Sequence, residues 1–515
     1  MLIISSFVYF LFQALGLTFG GLKNYIIMSK NVAALEPQLM WKNFCDLNAV
    51  PRPSKKEERV IQFMQDFGKR LGLPTKTDEC GNILITKPAT SGMENRKKVT
   101  LQSHLDMVHQ KNNETVFDFD KEGIKMYVDG DWVKAEGTTL GSDNGIGVAS
   151  IMALLESTDI EHPEIEGFFT IDEETGMTGA FELKAGFLEG EILLNLDTED
   201  DNELTIGCAG GVNVTAEAYY DEIEMNQNFE TIRLTLRGLS GGHSGMDIIK
   251  GLGNANKLMN RFMHGLMQET IFSIIEINGG GLRNAIPRES NAVIGVAKKD
   301  LETFVKAKEI FSAEVIAEHK DTDPNLVFET EAIEHRGKGA SVESSRRFIT
   351  SVYAVPNGIY RMSPTIPGLV QTSNNLSQLN MRDGKAQVLC LCRSSVDSEK
   401  HDEVRTISAA LSIIDAKITL DADYPGWTPE PSSKIVSIMS DLYEEMFKEK
   451  AHVMACHAGL ECGIIGTNYP NLDMVSFGPN IRGAHSPDEK VQISSVHKYW
   501  SFLLEALKRI PLKGS

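Results

Sequence analysis

The chain has 515 residues, 42% of them hydrophobic, and a formal net charge of −20 at pH 7. This length exceeds one ordinary hydrophobic core, so we expect two or more domains. The negative charge argues against binding to nucleic acid or anionic membranes, and the seven scattered cysteines, odd in number, argue for reduced thiols rather than a disulfide framework.

Residues 1–27 are apolar enough for a signal segment or a membrane anchor. They lack a basic region ahead of the apolar stretch, and no clear small-x-small cleavage site follows it. We therefore predict that residues 1–27 are an apolar extension produced by a start codon assigned too early, and that translation begins at Met28. The alternative is a membrane anchor. The predicted location is the cytoplasm, or a membrane if residues 1–27 are retained.

Residues 28–209 alternate amphipathic helices with apolar strands, beginning with predicted helices over 37–47 and 55–72. This order is typical of an α/β domain with a mixed or parallel sheet. Predicted helices over 431–450 and 494–510 have the same character. We therefore assign residues 424–515 to the second part of a discontinuous domain.

Residues 210–423 have a different order of predicted strands and helices. The order is β-α-β-β-α-β over residues 229–333, and a weaker repeat of this pattern occupies residues 344–424. This pattern predicts an inserted α+β domain made of two related halves.

The segment VTLQSHLDMV predicts a buried strand that carries His104 and Asp106 on one face. This spacing allows the imidazole to bind a metal ion while the carboxylate orients it. The alternative is a histidine–aspartate pair buried in the core.

Two further predicted strands end in acids, at Glu173 and Glu174 in FFTIDEETG and at Asp197 in ILLNLDTE. Carboxylates at the end of a buried strand are costly unless something neutralises them. Two adjacent acids allow one to bind a metal ion and the other to transfer protons. Because ligands collect at the carboxyl ends of parallel strands, we expect one shared site. The alternative is a set of solvated acids.

Asp143 lies in a glycine-rich loop before a predicted helix, and His485 lies among glycine, proline and serine. Each also has an ordinary interpretation, Asp143 as a helix N-cap and His485 as a solvated loop residue. Together with the strand-end residues, two imidazoles and three carboxylates form a complete ligand set for two divalent ions that share one bridge.

These motifs resemble the co-catalytic di-zinc peptidases, the family that includes aminoacylase, glutamate carboxypeptidase and the bacterial dipeptidases. The resemblance extends from about residue 33 to the C-terminus, and the order of the segments makes it specific. The segments that carry it are VTLQSHLDMVHQ, VKAEGTTLGSDNGIG, GCAGG, GGHSGMDIIKGLGNANKL, LRNAIPRE, YPGW, HAGLECG and GAHSPDE. The resemblance implies a discontinuous α/β catalytic domain with an inserted α+β lid.

The resemblance also implies residue roles. His104 and Asp197 would hold one zinc ion, Glu174 and His485 the other, and Asp143 would bridge them. Manganese or cobalt are alternatives to zinc. Asp106 would support His104, and Glu173 would be the general base. The peptide bond between Asp143 and Asn144 would be cis.

His243 in LSGGHSG matches the lid histidine of the family, which implies a donor to the tetrahedral oxyanion. The candidates for substrate binding are Asn284, Arg361, Arg393 and Glu461. Each arginine has the alternative of a surface salt bridge, and the role of Glu461 toward a free amino group is open.

The implied activity is hydrolysis of unblocked dipeptides, including those with a C-terminal histidine. The alternatives are an N-acyl amino acid amidohydrolase and a catalytically silent binding or scaffold protein. Silent members usually lose the base or a ligand, and this chain keeps all of them. Small dipeptides are the expected partners, and a homodimer is a further expectation.

Overall fold

The computed structural model describes residues 32–514, so the predictions for residues 1–27 lie outside the described part. The described chain forms two compact units. The first contains the residues up to Ile206 together with Glu430–Met454 and the residues from Ile464 onward, and the second contains Gly207–Pro429 and Ala455–Gly463. Among the described residues, no helix has the length and hydrophobicity needed to cross a bilayer.

The helices lie close to their predicted positions because their apolar residues recur at helical spacing. In chain order they are α1 Gln38–Asn48, α2 Glu58–Leu71, α3 Ser142–Glu156, α4 Thr178–Glu182, α5 Ala255–Leu266, α6 Leu301–Glu318, α7 Val342–Ala354, α8 Asp397–Leu411, α9 Lys434–Phe447, α10 Glu461–Asn468 and α11 Ile493–Lys508. Short 3-10 helices occur at Ile248–Lys250, Lys298–Asp300 and Ser412–Ile414.

The strands form four sheets. In chain order they are β1 Thr75–Thr77, β2 Ile83–Lys87, β3 Val99–His104, β4 Met126–Asp129, β5 Trp132–Ala135, β6 Ile165–Thr170, β7 Ile192–Asn195, β8 Glu203–Cys208, β9 Gly210–Tyr219, β10 Glu222–Glu224, β11 Phe229–Arg237, β12 Phe272–Gly279, β13 Ser290–Ala297, β14 Val327–Ala332, β15 Lys338–Ala340, β16 Gly358–Met362, β17 Val370–Arg382, β18 Lys385–Ser394, β19 Lys417–Tyr424, β20 His452–Cys456, β21 Asp473–Ser476, β22 Ile481–Arg482 and β23 Lys490–Gln492.

The first unit is built around a mixed eight-stranded sheet in the order β1-β2-β6-β3-β7-β21-β8-β20. At its centre β3 runs parallel to β6 and β7, and all three strands are buried along their length. Their carboxyl ends therefore lie at one edge of the sheet. A smaller sheet in the order β22-β23-β5-β4 holds the hairpin that carries His485.

Helix α3 is apolar on all sides and almost entirely buried, and it packs against α1 and β3. A side chain on Gly147 would meet Ser103 Oγ at 2.3 Å, so the absence of one lets the helix approach the central strand. This packing holds the start of α3 beside the carboxyl end of β3.

The second unit contains a nine-stranded sheet in which the main path is β14-β11-β13-β12-β17-β18-β9-β19. The first half of the path is β14-β11-β13-β12. If these four strands are numbered 1 to 4 in chain order, their order in the sheet is 4-1-3-2. The second half is β17-β18-β9-β19, and the same numbering gives the reverse order, 2-3-1-4. The two halves join where β12 pairs with β17.

The second half is discontinuous in sequence, because its first strand β9 precedes the whole of the first half. The sequence pattern predicts a second half that begins at residue 344, so it leaves β9 outside this half. The pairing of β9 with β18 joins Tyr219 to Lys385 across the intervening half. Such long-range pairing leaves no local signal. The role of this unit as a lid stays a prediction.

Candidate active site

Three neighbouring strands bring predicted site residues to one edge of the first unit's sheet. His104 is the last residue of β3, Glu173 and Glu174 follow β6, and Asp197 follows β7. The parallel register pairs His104 with Thr170 and Gln102 with Asn195, so the three strands end at the same level. The expected shared edge is therefore present.

Asp143 and His485 complete this cluster from outside the sheet. His104 Nε2 lies 3.2 Å from Asp143 Oδ1 and 3.5 Å from Asp197 Oδ1. His485 Nε2 lies 3.3 Å from Asp143 Oδ2 and 3.0 Å from Glu174 Oε2. Each oxygen of Asp143 thus faces a different histidine. The Asp143–Asn144 peptide is cis, which confirms the prediction.

Among the described residues, four groups of three side chains have donor atoms within 4.8 Å of one another. Two of them share Asp143: one contains His104, Asp143 and Asp197, and the other contains Asp143, Glu174 and His485. The remaining two are His104 with Glu173 and Glu174, and Glu57 with Asp106 and Asp172. Glu173 Oε2 lies 4.0 Å from His104 Nε2, so Glu173 lies beside both groups that share Asp143. Imidazole nitrogen and carboxylate oxygen are donors that zinc accepts. The residues therefore fit a pair of divalent ions that share Asp143.

The pKa shifts of the cluster also favour the binding of cations. Burial, together with the charge of Asp143, raises the pKa of Asp197 and of Glu174. Hydrogen bonds to Asp143 and Glu174 raise the pKa of His485 to about 11, against the effect of burial. Burial also opposes protonation of His104, but the surrounding carboxylates outweigh it and raise its pKa well above the usual value. The positive charge of a bound cation would offset the burial that raises the pKa of Asp197 and Glu174.

Asp106 contacts both the histidine and the acidic turn. Its Oδ1 lies 3.4 Å from His104 Nδ1, and its two carboxylate oxygens accept the backbone N–H groups of Glu173, at 3.0 Å, and Glu174, at 3.2 Å. The carboxylate is fully buried. It can therefore hold the His104 ring and fix the turn that presents Glu173.

Helix α3 is not capped by Asp143, which lies in its first turn after the N-cap Gly141. The first amides instead donate to Glu489, a residue that is not among the candidates predicted from the sequence. Glu489 Oε2 accepts from the N–H groups of Leu140 at 2.7 Å and Gly141 at 2.9 Å. Its Oε1 accepts from Ser142 N at 2.7 Å and Asp143 N at 3.2 Å. The available signal was its position, four residues after His485.

The second unit holds its own group of predicted residues. His243 Nδ1 accepts hydrogen bonds from Gly245 N at 3.2 Å and Met246 N at 3.0 Å. An acceptor nitrogen carries no proton, so the proton of the neutral ring is on Nε2. The His243 loop is connected to the Asn284 turn, because Ser244 N donates to the Asn284 carbonyl at 2.8 Å. The Asn284 residue itself is exposed.

Arg393 is buried within the same unit, and its Nη1 donates to Tyr424 Oη at 3.0 Å. Its Nε has no hydrogen-bond partner among the described residues. His457, also missed as a candidate, lies nearby: its Nε2 is 2.7 Å from Ser373 Oγ, and Ser373 pairs with Arg393 across the sheet. Burial and the charge of Arg393 lower the pKa of His457 to about 3, so its ring is neutral.

Two further predicted residues have contrasting surroundings. Arg361 is exposed and forms an ion pair with Glu399 at 2.7 Å, which is the surface salt bridge expected as the alternative role of this arginine. Glu461 is fully buried at the first position of α10. The structure thus places Arg393 and His243 close to His457, while Arg361 has a charged partner of its own.

The chain is similar to known proteins along most of its length. Residues 100–509 match the model of Peptidase family M20/M25/M40. The chain is 43% identical over 482 residues to the cytosol non-specific dipeptidase of Escherichia coli, covering 94% of this chain and 99% of the relative. It matches the crystal structure of aminoacylhistidine dipeptidase from Vibrio alginolyticus with a TM-score of 0.88 and 42% identity, covering 94% of this chain and 99% of that one.

A more distant structure, an aminopeptidase from Bacillus cereus, matches with a TM-score of 0.54 and 14% identity over 92% of this chain and 99% of that one, which shows the shared fold alone. Because the family match covers most of the chain, the protein is a metal-dependent peptidase of a class whose members generally bind two metal ions. The chain belongs to Peptidase family M20/M25/M40. Within the family the quoted segments resemble aminoacyl-histidine dipeptidase, also called Xaa-His dipeptidase or peptidase D, and that prediction is confirmed.

Proposed function

We propose that this chain is a two-metal dipeptidase that hydrolyses unblocked dipeptides, including those with a C-terminal histidine. The observation that carries the proposal is the pair of donor groups that share Asp143, with Glu173 beside both. The names of the relatives from Escherichia coli and Vibrio alginolyticus support the choice of dipeptides as substrates.

The metal ions would be held by the residues that the family resemblance implies: His104 and Asp197 at one ion, Glu174 and His485 at the other, and Asp143 at both. Zinc is the proposed metal because nitrogen and carboxylate donors suit it, with manganese and cobalt as alternatives. When bound, such ions lower the pKa of a water molecule and polarise the substrate carbonyl.

Glu173 is proposed as the general base. Its carboxylate would accept a proton from the attacking water and return it to the leaving amine as the peptide bond breaks. Asp106 keeps Glu173 in place by accepting the N–H of its backbone. This division leaves Glu174 as a ligand and Glu173 free to move protons.

The second unit is proposed to bind substrate. The Nε2–H of His243 would donate to the carbonyl oxygen as negative charge develops on it. The unsatisfied Nε of Arg393 suits the C-terminal carboxylate of a dipeptide, because guanidinium groups recognise carboxylates through parallel hydrogen bonds. Asn284 and Arg361 are further candidates for this role, and Glu461 is proposed to pair with the free amino group.

A substrate panel tests the proposed activity. The protein would be assayed with free dipeptides, with and without C-terminal histidine, and with N-acetyl amino acids, each with added zinc, manganese or cobalt. We expect hydrolysis of the free dipeptides and little turnover of the acetylated compounds. Preference for N-acetyl amino acids would favour an amidohydrolase, and no turnover with any metal would favour a silent scaffold protein.

Replacing His243 with alanine is expected to lower kcat by about 10²–10³-fold, the usual effect of losing one oxyanion donor. Metal content should stay at the wild-type level, because His243 belongs to neither donor group. Steady-state kinetics and elemental analysis measure the two quantities. His401→Ala, an exposed histidine of the same unit, is the control and should retain full turnover. An unchanged kcat in His243→Ala would leave His243 as a turn residue.

We propose a cytoplasmic location, supported by the name of the Escherichia coli relative and by the net charge of −20. A homodimer is proposed as the assembly, and sedimentation of the purified protein would test it.

A further inference from the structure

The loop that carries Asp143 is held by hydrogen bonds to Glu489. Besides four successive backbone amides, Glu489 Oε1 accepts the Ser142 hydroxyl at 2.6 Å. Glu489 is 3% exposed, and it lies on the same hairpin loop as His485. One buried carboxylate therefore connects the backbone of the shared ligand to the loop of a second ligand, although Leu140 and Glu489 are 349 positions apart.

The same loop is also held by Arg52. Its Nη2 donates to the Gly141 carbonyl at 2.5 Å. Its Nη1 donates to the carbonyls of Leu105 at 3.0 Å and Asp106 at 3.1 Å, directly after His104. The guanidinium is 1% exposed. One buried cation therefore connects the segment of the His104 ligand to the loop of the shared ligand.

The glycines of the motif GSDNG leave room for this cation. A Cβ atom on Gly141 would lie 2.6 Å from Arg52 Nη2, and one on Gly145 would lie 2.7 Å from it. Gly141 also has a φ of +69°, which glycine adopts without strain. The motif is therefore shaped around Arg52 as well as around the ligand Asp143.

We propose that Arg52 and Glu489 are positioning residues that set the separation of the two metal sites. Together they join three ligand segments, those of His104, Asp143 and His485, through hydrogen bonds to a single loop. Neither residue belongs to either donor group that shares Asp143. The inference rests on the two-metal function proposed above. Groups that orient metal ligands typically change metal affinity by about 10–100-fold when they are lost.

Glu489→Gln tests the inference. Glutamine keeps the size of the side chain but replaces one carboxylate oxygen with an NH2 group, which cannot accept hydrogen bonds. Two of the four backbone amides of the loop therefore lose their acceptor. The metal-free variant would be titrated with Mn²⁺ by calorimetry, and its electron paramagnetic resonance spectrum would be recorded with two equivalents. We expect the second ion to bind about 10–100-fold more weakly than in the wild type. The signal of a coupled ion pair should give way to that of isolated ions.

Glu166→Gln is the matched control. Glu166 is also buried and accepts from two backbone amides, of Glu189 and Gly190, and from the Thr100 hydroxyl, but it lies near the amino end of β6. We expect both Mn²⁺ affinities to match the wild type. Equal weakening in Glu166→Gln, or wild-type affinities and a coupled spectrum in Glu489→Gln, would overturn the proposal.

If circular dichroism shows that Glu489→Gln does not fold, two further variants test the proposal. Ser142→Ala removes one donor to Glu489, and Arg52→Lys keeps the charge but loses the branched donor geometry. Each should weaken the second ion in the same direction, and wild-type binding in both would overturn the proposal. Failure of the wild type to bind two ions or to cleave dipeptides would instead count against the proposed function itself.

Discussion

Replacing Glu173 with glutamine is expected to nearly abolish turnover while both metal ions stay bound. Glutamine has almost the same shape, but it cannot accept a proton from water or return one to the leaving amine. General acid–base catalysis contributes about 10²–10⁴-fold to rate, so kcat should fall by that order. The two donor groups that share Asp143 do not include Glu173, so metal content should be unchanged. Dipeptide kinetics and elemental analysis of the same preparation check both parts.

The control for this variant is Glu182→Gln, which changes an exposed glutamate further along the chain. It should retain wild-type turnover and metal content. If Glu173→Gln kept a tenth or more of wild-type activity, Glu173 would not be the base. Loss of metal from Glu173→Gln would instead make it a ligand, as its distance of 4.0 Å from His104 Nε2 would permit.

Replacing Asp143 with alanine is expected to remove metal and activity together. Each carboxylate oxygen of Asp143 faces a different histidine, so one substitution takes a donor from both sites. The remaining donors of each group are then one histidine and one carboxylate, fewer than a tightly bound zinc ion requires. We expect fewer than two ions per chain after dialysis and no detectable dipeptide hydrolysis.

Asp129→Ala serves as the control, because Asp129 is an exposed aspartate that pairs with Lys134 at 2.6 Å. It should keep two ions and full activity. Two tightly bound ions per chain in Asp143→Ala, measured by elemental analysis at equal protein concentration, would contradict a shared bridge. The two predictions are separable, since Glu173→Gln should lose only turnover.

The amino-acid sequence by itself determined where the candidate ligands converge. Apolar segments that end in His104, Glu174 and Asp197 predict buried strands, and parallel strands share a carboxyl edge, so local pattern was enough to bring these residues together. Helix positions followed from apolar periodicity for the same reason. The roles of Asp143 and His485 needed the family resemblance, because loop residues have no periodic signal.

Only the tertiary structure decided how the loops are held and which strands belong together. Glu489 and Arg52 act through backbone groups, and a backbone amide or carbonyl has the same chemistry at every position of the sequence. Strand β9 belongs to a half whose other main-path strands begin at residue 370, and Arg361 forms an ion pair with Glu399. Such choices depend on chain closure over long separations, where the partners are fixed by packing and not by neighbouring residues.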